Sequence, residues 1–447
     1  MDVIRQANND IISFLGGSQK RIKDKTYRLN KYCMEIKLED GILLYNGLTG
    51  GLVLIRPLEW INIYTTYPCD YANHLLETYF LVPENFNEDE LIEAFRAHKQ
   101  KFISDNYLDV PTHYTILTTS KCNARCFYCY ENGVKHKKNM TLETAEKIAK
   151  YIIDRGVDVT LDWFGGEPLV NYEVIDLIVS RLTSAGIKYH STMISNGFLF
   201  TPELVQKAKY QWKLSSVQIT LDGTEEVYNK SKNYIKPDVE SPFKKVIQNI
   251  KLLTQYEIRV SVRLNADTYN IDNLTELVEE LYKEFRGNRF FSMYSHEIFE
   301  INGYKRSEED SKILYEKLLA LDRNLISKGF LFPKTNMGIK ALHCKVDSES
   351  GVVITPDGSI GLCEHYINDR FISHIDTPND KNFDEIKSWR RYYSQDYEIC
   401  KNCILRPGCL KVIDCPDAKV CDENEQKYHL EYFKTDLLEI THEHYNR

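Results

Sequence analysis

The sequence predicts an α/β protein with a partial (β/α)6 barrel in the middle. An α+β module precedes the barrel and a cysteine-rich segment follows it. Three observations carry this reading. From about residue 112, apolar runs of strand length alternate with helical periodicity six times. Before that point, short apolar runs are separated by turn residues, as in YCMEIKLEDGILLYN. After about residue 335 the alternation stops and Pro, Gly and Cys dominate, as expected of a segment folded around metal rather than an apolar core. The predicted divisions are therefore 1–108, 109–335 and 336–447.

In the first segment, residues 30–57 read as short strands joined at Glu39-Asp40-Gly41 and at a second Gly-rich turn. A helical stretch follows, and then Asn87 stands three residues before Glu90, the spacing of a capping box that opens a helix. In the second segment the strands are HYTILTT, VTLDWFG, YHSTMIS, SVQITLD, IRVSVRLN and RFFSMYS. A helix starts at Thr141, carries Ala145, Ile148, Ala149, Ile152 and Ile153 on one face, and stops at Gly156. Further helices fall around 171–185, after Ser241-Pro242, and over 273–286. Alternation of this kind implies parallel strands with helical crossovers, and parallel barrels carry their chemistry in the loops at the strands' C-terminal ends.

Bulk properties exclude several classes of function. The net charge is −8 and the isoelectric point about 5.9, with no basic domain, so no nucleic-acid partner is expected. No apolar run approaches the ~18 residues of a membrane span, and the N-terminus lacks the basic-then-apolar layout of a signal peptide. A cytoplasmic location is expected. Twelve cysteines are many for that compartment, where disulfides are rare. Cys33 and Cys69 are isolated and read as small buried apolar residues. The other ten fall at 122–129 and beyond 340, and clustered thiols in a reducing compartment point to metal.

Cys122, Cys126 and Cys129 lie within eight residues, in the loop after the first barrel strand. Three thiols suit a zinc site completed by a distant fourth ligand, or a [4Fe–4S] cluster with one iron left open. The stretch CNARCFYCY resembles the C-x3-C-x-φ-C signature of the radical S-adenosylmethionine (SAM) enzymes, with Tyr128 as the aromatic φ. In that family the three cysteines hold the cluster, SAM binds the open iron, and reductive cleavage yields a 5′-deoxyadenosyl radical. Further motifs follow in order at later strand ends. Gly165-Gly166-Glu167-Pro168 is similar to the segment that meets the methionine amino group of SAM. Ser195-Asn196-Gly197 is similar to the ribose-side motif, and Gln218 to Gly223 resembles the fourth-strand motif. Arg263 stands where many relatives place a residue near the SAM carboxylate. The resemblance covers about residues 112–300.

The last quarter resembles the SPASM extension of peptide- and protein-modifying members. Gly358-x4-Cys363 is followed by C-x2-C-x5-C at Cys400, Cys403 and Cys409. The resemblance implies two auxiliary [4Fe–4S] clusters, one held by Cys344, Cys363 and Cys415, the other by Cys400, Cys403, Cys409 and Cys421. The sequence departs from the family pattern after Cys409: five residues rather than three separate it from the next cysteine, Cys415, and Ile413 holds the expected position. A zinc-ribbon-like site on Cys400 and Cys403 is the alternative. His343 and His365, beside two of these cysteines, are read as surface residues, and the 30 tyrosines as ordinary packing.

In relatives, an N-terminal module of strands and helices grips the leader of a ribosomal peptide by strand addition. The resemblance therefore implies a maturase that crosslinks a precursor peptide, with a thioether link favoured. Carbon–carbon crosslinking and formylglycine formation on a sulfatase are alternatives within the family. A zinc-stabilised, non-catalytic binding protein is the alternative outside it. The implied partners are the precursor peptide with its leader, and a reductase, flavodoxin or ferredoxin as electron donor.

Overall fold

A computed structural model describes residues 1–17, 26–57, 59, 70–105, 110–133, 137–298, 305–332, 338–341, 350–366, 370–378, 397–409 and 420–446. The chain forms two compact units. One contains 1–106, 333–347 and 388–447, and the other 107–332 and 348–387. The cysteine-rich segment after residue 335 is thus shared between them.

The first unit begins with β1 (Asp2–Arg5), α1 (Asn9–Phe14), β2 (Tyr27–Leu29), β3 (Cys33–Lys37), β4 (Ile42–Asn46), β5 (Leu52–Ile55), α2 (Asp70–Glu77), β6 (Leu81–Pro83) and α3 (Glu88–Asp105). Four strands pair antiparallel in the order β1-β5-β4-β3. The turn between β3 and β4 needs Gly41, because a Cβ there would stand 2.5 Å from the Ile55 carbonyl oxygen. Asn87 caps α3 as its spacing predicts, accepting the Glu90 N–H at 3.2 Å. The C-terminal helix (Glu423–Tyr445) supplies Leu437, which is fully buried against Met34, Leu43, Tyr45, Leu52 and Leu54. Burying one such leucine stabilises by about 2 kcal/mol. N-terminal strands and C-terminal helix therefore share one core, a long-range pairing that no local pattern announces. Cys33 packs beside the neighbouring core cluster of Leu44, Val53 and Ile55; Cys69 lies outside the described residues.

Two arginines fasten the segment 397–409 to α3. Arg406 donates to Asp89 at 2.5 Å and Glu93 at 3.0 Å. Arg96, almost wholly buried, donates to the carbonyls of Lys340 (3.1 Å), Arg406 (3.0 Å) and Cys409 (2.8 Å).

The second unit contains β7 (His113–Thr119), α4 (Leu142–Ile153), β8 (Val159–Gly165), α5 (Tyr172–Ser184), β9 (Tyr189–Ser195), α6 (Pro202–Tyr210), β10 (Leu214–Leu221), α7 (Glu225–Lys232), α8 (Pro242–Gln255), β11 (Arg259–Ala266), α9 (Ile271–Phe285), β12 (Phe291–Glu297) and α10 (Glu308–Ser327). Strands β7 to β12 pair in sequence order and all in parallel, the partial barrel that the alternation predicts. Thr141 and Ser241 cap α4 and α8. Along β10 and β11, Val217, Ile219, Leu221, Val260, Val262 and Leu264 are buried, while Gln218, Thr220 and Arg263, which alternate with them, are half-buried. All six C-terminal ends lie at one end of the sheet.

The sheet continues past its predicted edge. β13 (Gly351–Ile354) pairs in parallel with β7, and β14 (Ser359–Gly361) and β15 (Phe371–His374) extend it antiparallel. These strands are too short for periodicity to mark them, and they lie in the segment where regular structure was not expected. Among the described residues no helix is long and apolar enough to cross a membrane.

Because Arg96 satisfies three carbonyls from two separate segments, Arg96→Met leaves them without their donor. We expect a loss of about 3 kcal/mol or more in stability, measured as a lower urea midpoint for the first unit.

Candidate active site

The loop after β7 is pinned by main-chain bonds before any metal is considered. The Arg125 N–H donates to the Lys232 carbonyl at 2.9 Å, Ile235 N–H to the Asn123 carbonyl at 2.8 Å, and Cys129 N–H to the Cys126 carbonyl at 3.2 Å. Cys122, Cys126 and Cys129 are free thiols, each partly buried. Burial, then the nearby Glu167, pushes the Cys122 thiol up to about 12. Burial and Glu131 push Cys129 up to about 11, and burial raises Cys126 against the pull of Lys232. Three thiols held protonated until a cation displaces the protons are a fitting donor set for a metal centre.

The second strand end closes on this loop at backbone distance. A Cβ on Gly165 would sit 2.1 Å from the Thr119 carbonyl oxygen, and one on Gly166 would sit 2.3 Å from that of Lys121. Gly165 also has φ +122°, so glycine is required twice over. Glu167, with no exposed surface, accepts the Ser195 hydroxyl at 2.8 Å, the Asn196 N–H at 2.8 Å and the Leu169 N–H at 3.2 Å. Asn196 Nδ2 in turn donates to Asn123 Oδ1 in the cysteine loop at 2.7 Å. Gly165, Gly166, Glu167, Ser195 and Asn196 thus come together with the cysteines.

Sequence reasoning missed what holds Tyr128. Its hydroxyl donates to Asp222 Oδ2 at 2.7 Å and accepts from Lys232 Nζ at 2.8 Å and Asn265 Nδ2 at 3.1 Å. Lys232 also donates to Thr220 Oγ1 at 2.7 Å and pairs with Asp222 at 3.2 Å, both side chains almost fully buried. Burial opposes the charge on Lys232, but Asp222 and Cys126 outweigh it and raise its pKa. Nothing around Lys232 in the sequence marks it; only its ten-residue distance from the Asp222-Gly223 turn ties it to a strand end. Gln218 and Arg263 sit deeper, within their strands: Gln218 accepts the Tyr294 hydroxyl at 2.6 Å, and Arg263 Nη2 lies 3.0 Å from His296 Nδ1.

Residues 116–282 match the Radical SAM superfamily. This stretch is a radical SAM domain. The superfamily carries a [4Fe–4S] cluster and uses SAM, and the three thiols of the loop fit the cluster's donor set. The chain is 25% identical over 289 residues to the radical SAM cyclopropyl synthase TigE of Paramaledivibacter caminithermalis, a match covering 55% of this chain and 58% of that protein. The fold resembles that of anSMEcpe with bound AdoMet (TM-score 0.56, 18% identity, 74% of this chain and 99% of that one). It also resembles Streptococcus suis SuiB bound to the precursor peptide SuiA (TM-score 0.51, 14% identity, 90% of this chain and 100% of that one).

The first unit brings four further thiols together. Cys400, Cys403, Cys409 and Cys421 line one cavity of about 250 Å³, with His429 and Phe433 also in its wall. Cys363 lies in the second unit, just after β14, and Cys344 and Cys415 lie outside the described residues, as does His343. His365 is not a bare surface residue: its ring stacks on Tyr130 at 4.6 Å.

Two outcomes follow for the radical SAM domain. Lys232→Met leaves the Asp222 charge buried without its cation and should cost about 3–5 kcal/mol. The double variant Lys232→Met/Asp222→Asn should recover part of that in thermal unfolding. Burial raises both Glu167 and Glu131 from the ordinary 4.5 to about 7. Between those values the folded state keeps protons that the unfolded chain has released. Metal-free protein should therefore lose stability as pH rises from about 5 to 7, by up to about 3 kcal/mol per carboxylate, and no further above it. Thermal midpoints across that range check this, and Glu167→Gln should flatten the curve.

Proposed function

We propose that this protein is a radical SAM maturase that crosslinks a ribosomally made precursor peptide, with a thioether from cysteine sulfur to carbon as the favoured product. The observation that carries the reading is the convergence of Cys122, Cys126 and Cys129 with Glu167, Ser195 and Asn196 at the strand ends of one half-open sheet. Cys122, Cys126 and Cys129 would hold a [4Fe–4S] cluster there, which together with SAM would supply radical chemistry able to act on unactivated carbon. The protein's own residues prepare the place. Glu167 fixes the third strand end and, through Asn196, the cysteine loop; Gly165 and Gly166 let two backbones meet; Asp222 and Lys232 hold the Tyr128 ring still.

The partner is a peptide with a leader. In the antiparallel sheet of the first unit, β3 has one strand neighbour among the described residues, so its outer edge offers main-chain donors and acceptors for an added strand. SuiB, similar in fold over 90% of this chain, is seen with its precursor peptide bound. The auxiliary ligands are Cys344, Cys363 and Cys415 for one [4Fe–4S] cluster and Cys400, Cys403, Cys409 and Cys421 for the other. The last four thiols line one cavity, which supports reading them as one ligand set. A flavodoxin-, ferredoxin- or reductase-type donor supplies electrons.

Reduced, reconstituted enzyme is incubated with SAM and a leader-bearing precursor peptide encoded beside its gene. We expect brown protein with about eight to twelve irons per chain. The peptide should lose two hydrogens per link, and residues 33–37 should gain protection from hydrogen exchange when it binds. Colourless zinc protein, or unchanged peptide while 5′-deoxyadenosine accumulates, sinks the proposal.

A further inference from the structure

The C-terminal helix presents more than Cys421 to the cavity. Cys421 stands just before the helix, and Glu425 and His429 follow at four-residue steps, so all three fall on one face. Their sulfur, oxygen and nitrogen ligand atoms all lie within 4.8 Å of one another. Glu425 is buried and His429 half-buried at the rim, with His429 Nε2 3.3 Å from Glu425 Oε1. Asp422 caps the helix by accepting the Glu425 N–H at 2.8 Å, which fixes the first turn and the carboxylate on it.

Metal–thiolate and metal–imidazole bonds are ~2.3 and ~2.1 Å long. An imidazole nitrogen this close to the Cys421 sulfur therefore reaches the same metal ion after a small side-chain rotation. Glu425 meets the ring at Nε2, so Nδ1 is the nitrogen left to a metal; a carboxylate on the opposite ring nitrogen is the usual partner of a metal-binding histidine. Histidine replaces cysteine on iron in some iron–sulfur centres.

We propose that the metal corner facing the C-terminal helix has two protein ligands available to it, the Cys421 thiolate and the His429 imidazole oriented by Glu425, so that removing Cys421 does not open that corner. This rests on the reading that Cys400, Cys403, Cys409 and Cys421 hold an iron–sulfur cluster.

The test uses the full chain with Cys122, Cys126 and Cys129 replaced by Ala, which leaves only the auxiliary centres in view. In that background Cys421→Ala should keep its full iron content. Its reduced spectrum should show a nitrogen coupling by pulsed electron paramagnetic resonance that changes when histidine is labelled with 15N. Cys421→Ala/His429→Ala should lose that coupling and about one iron per chain. If Cys421→Ala alone loses as much iron as the double variant, or keeps it without a histidine coupling, the inference is overturned while the cluster reading stands. If the parent background binds no iron at these cysteines, both are overturned.

Discussion

A carboxylate with no exposed surface, Glu167, is the constraint on which the barrel mouth depends. It lies after β8, accepts from the end of β9, and through Asn196 reaches the loop after β7. A buried acceptor of this kind must be satisfied or it costs several kcal/mol; Leu169 supplies one donor locally, and the adjacent Ser195 and Asn196 bring the other two from the end of β9. The two glycines before it follow from the same demand, since no Cβ fits between the chain there and the carbonyls of Thr119 and Lys121. Loop geometry at the mouth is therefore set by the protein rather than by what binds there.

The Lys232–Asp222 pair obeys the same logic with charge. Such a pair contributes little net stability compared with an apolar replacement, yet it fixes the tyrosine between two cysteines, and that tyrosine fixes the pitch of the loop. The burial that makes these contacts strong also keeps the loop thiols protonated. Metal uptake at this site therefore releases protons, and the cost of ionising the thiols falls on the binding of the metal.

The six strands of the barrel, their capped helices and the cluster of Cys122, Cys126 and Cys129 were legible because each rests on local pattern: alternation, capping residues, close spacing; the grouping of Glu167, Ser195 and Asn196 with those cysteines was legible only through the family resemblance. The resemblance grouped Cys400, Cys403, Cys409 and Cys421, and these four line one cavity. What stayed hidden depends on distant partners. Lys232 is one lysine among many until the fold places it under Tyr128. The strand at 351–354 is four residues long and gains its identity only by pairing with β7. The shared core of N-terminal strands and C-terminal helix joins residues some four hundred positions apart, so cutting the chain near residue 105 would remove the sheet on which that helix packs.

Arg96 and Arg406 hold the turn carrying Cys400, Cys403 and Cys409 against α3 by side-chain bonds that owe nothing to iron. Small metal-folded modules depend on their ion for shape; this turn has side-chain bonds to α3 besides. The placing of these three thiols is thus tied to the helix that carries Asp89, Glu93 and Arg96. A change in the register of that helix would therefore be felt at the thiols before it was felt in the sheet.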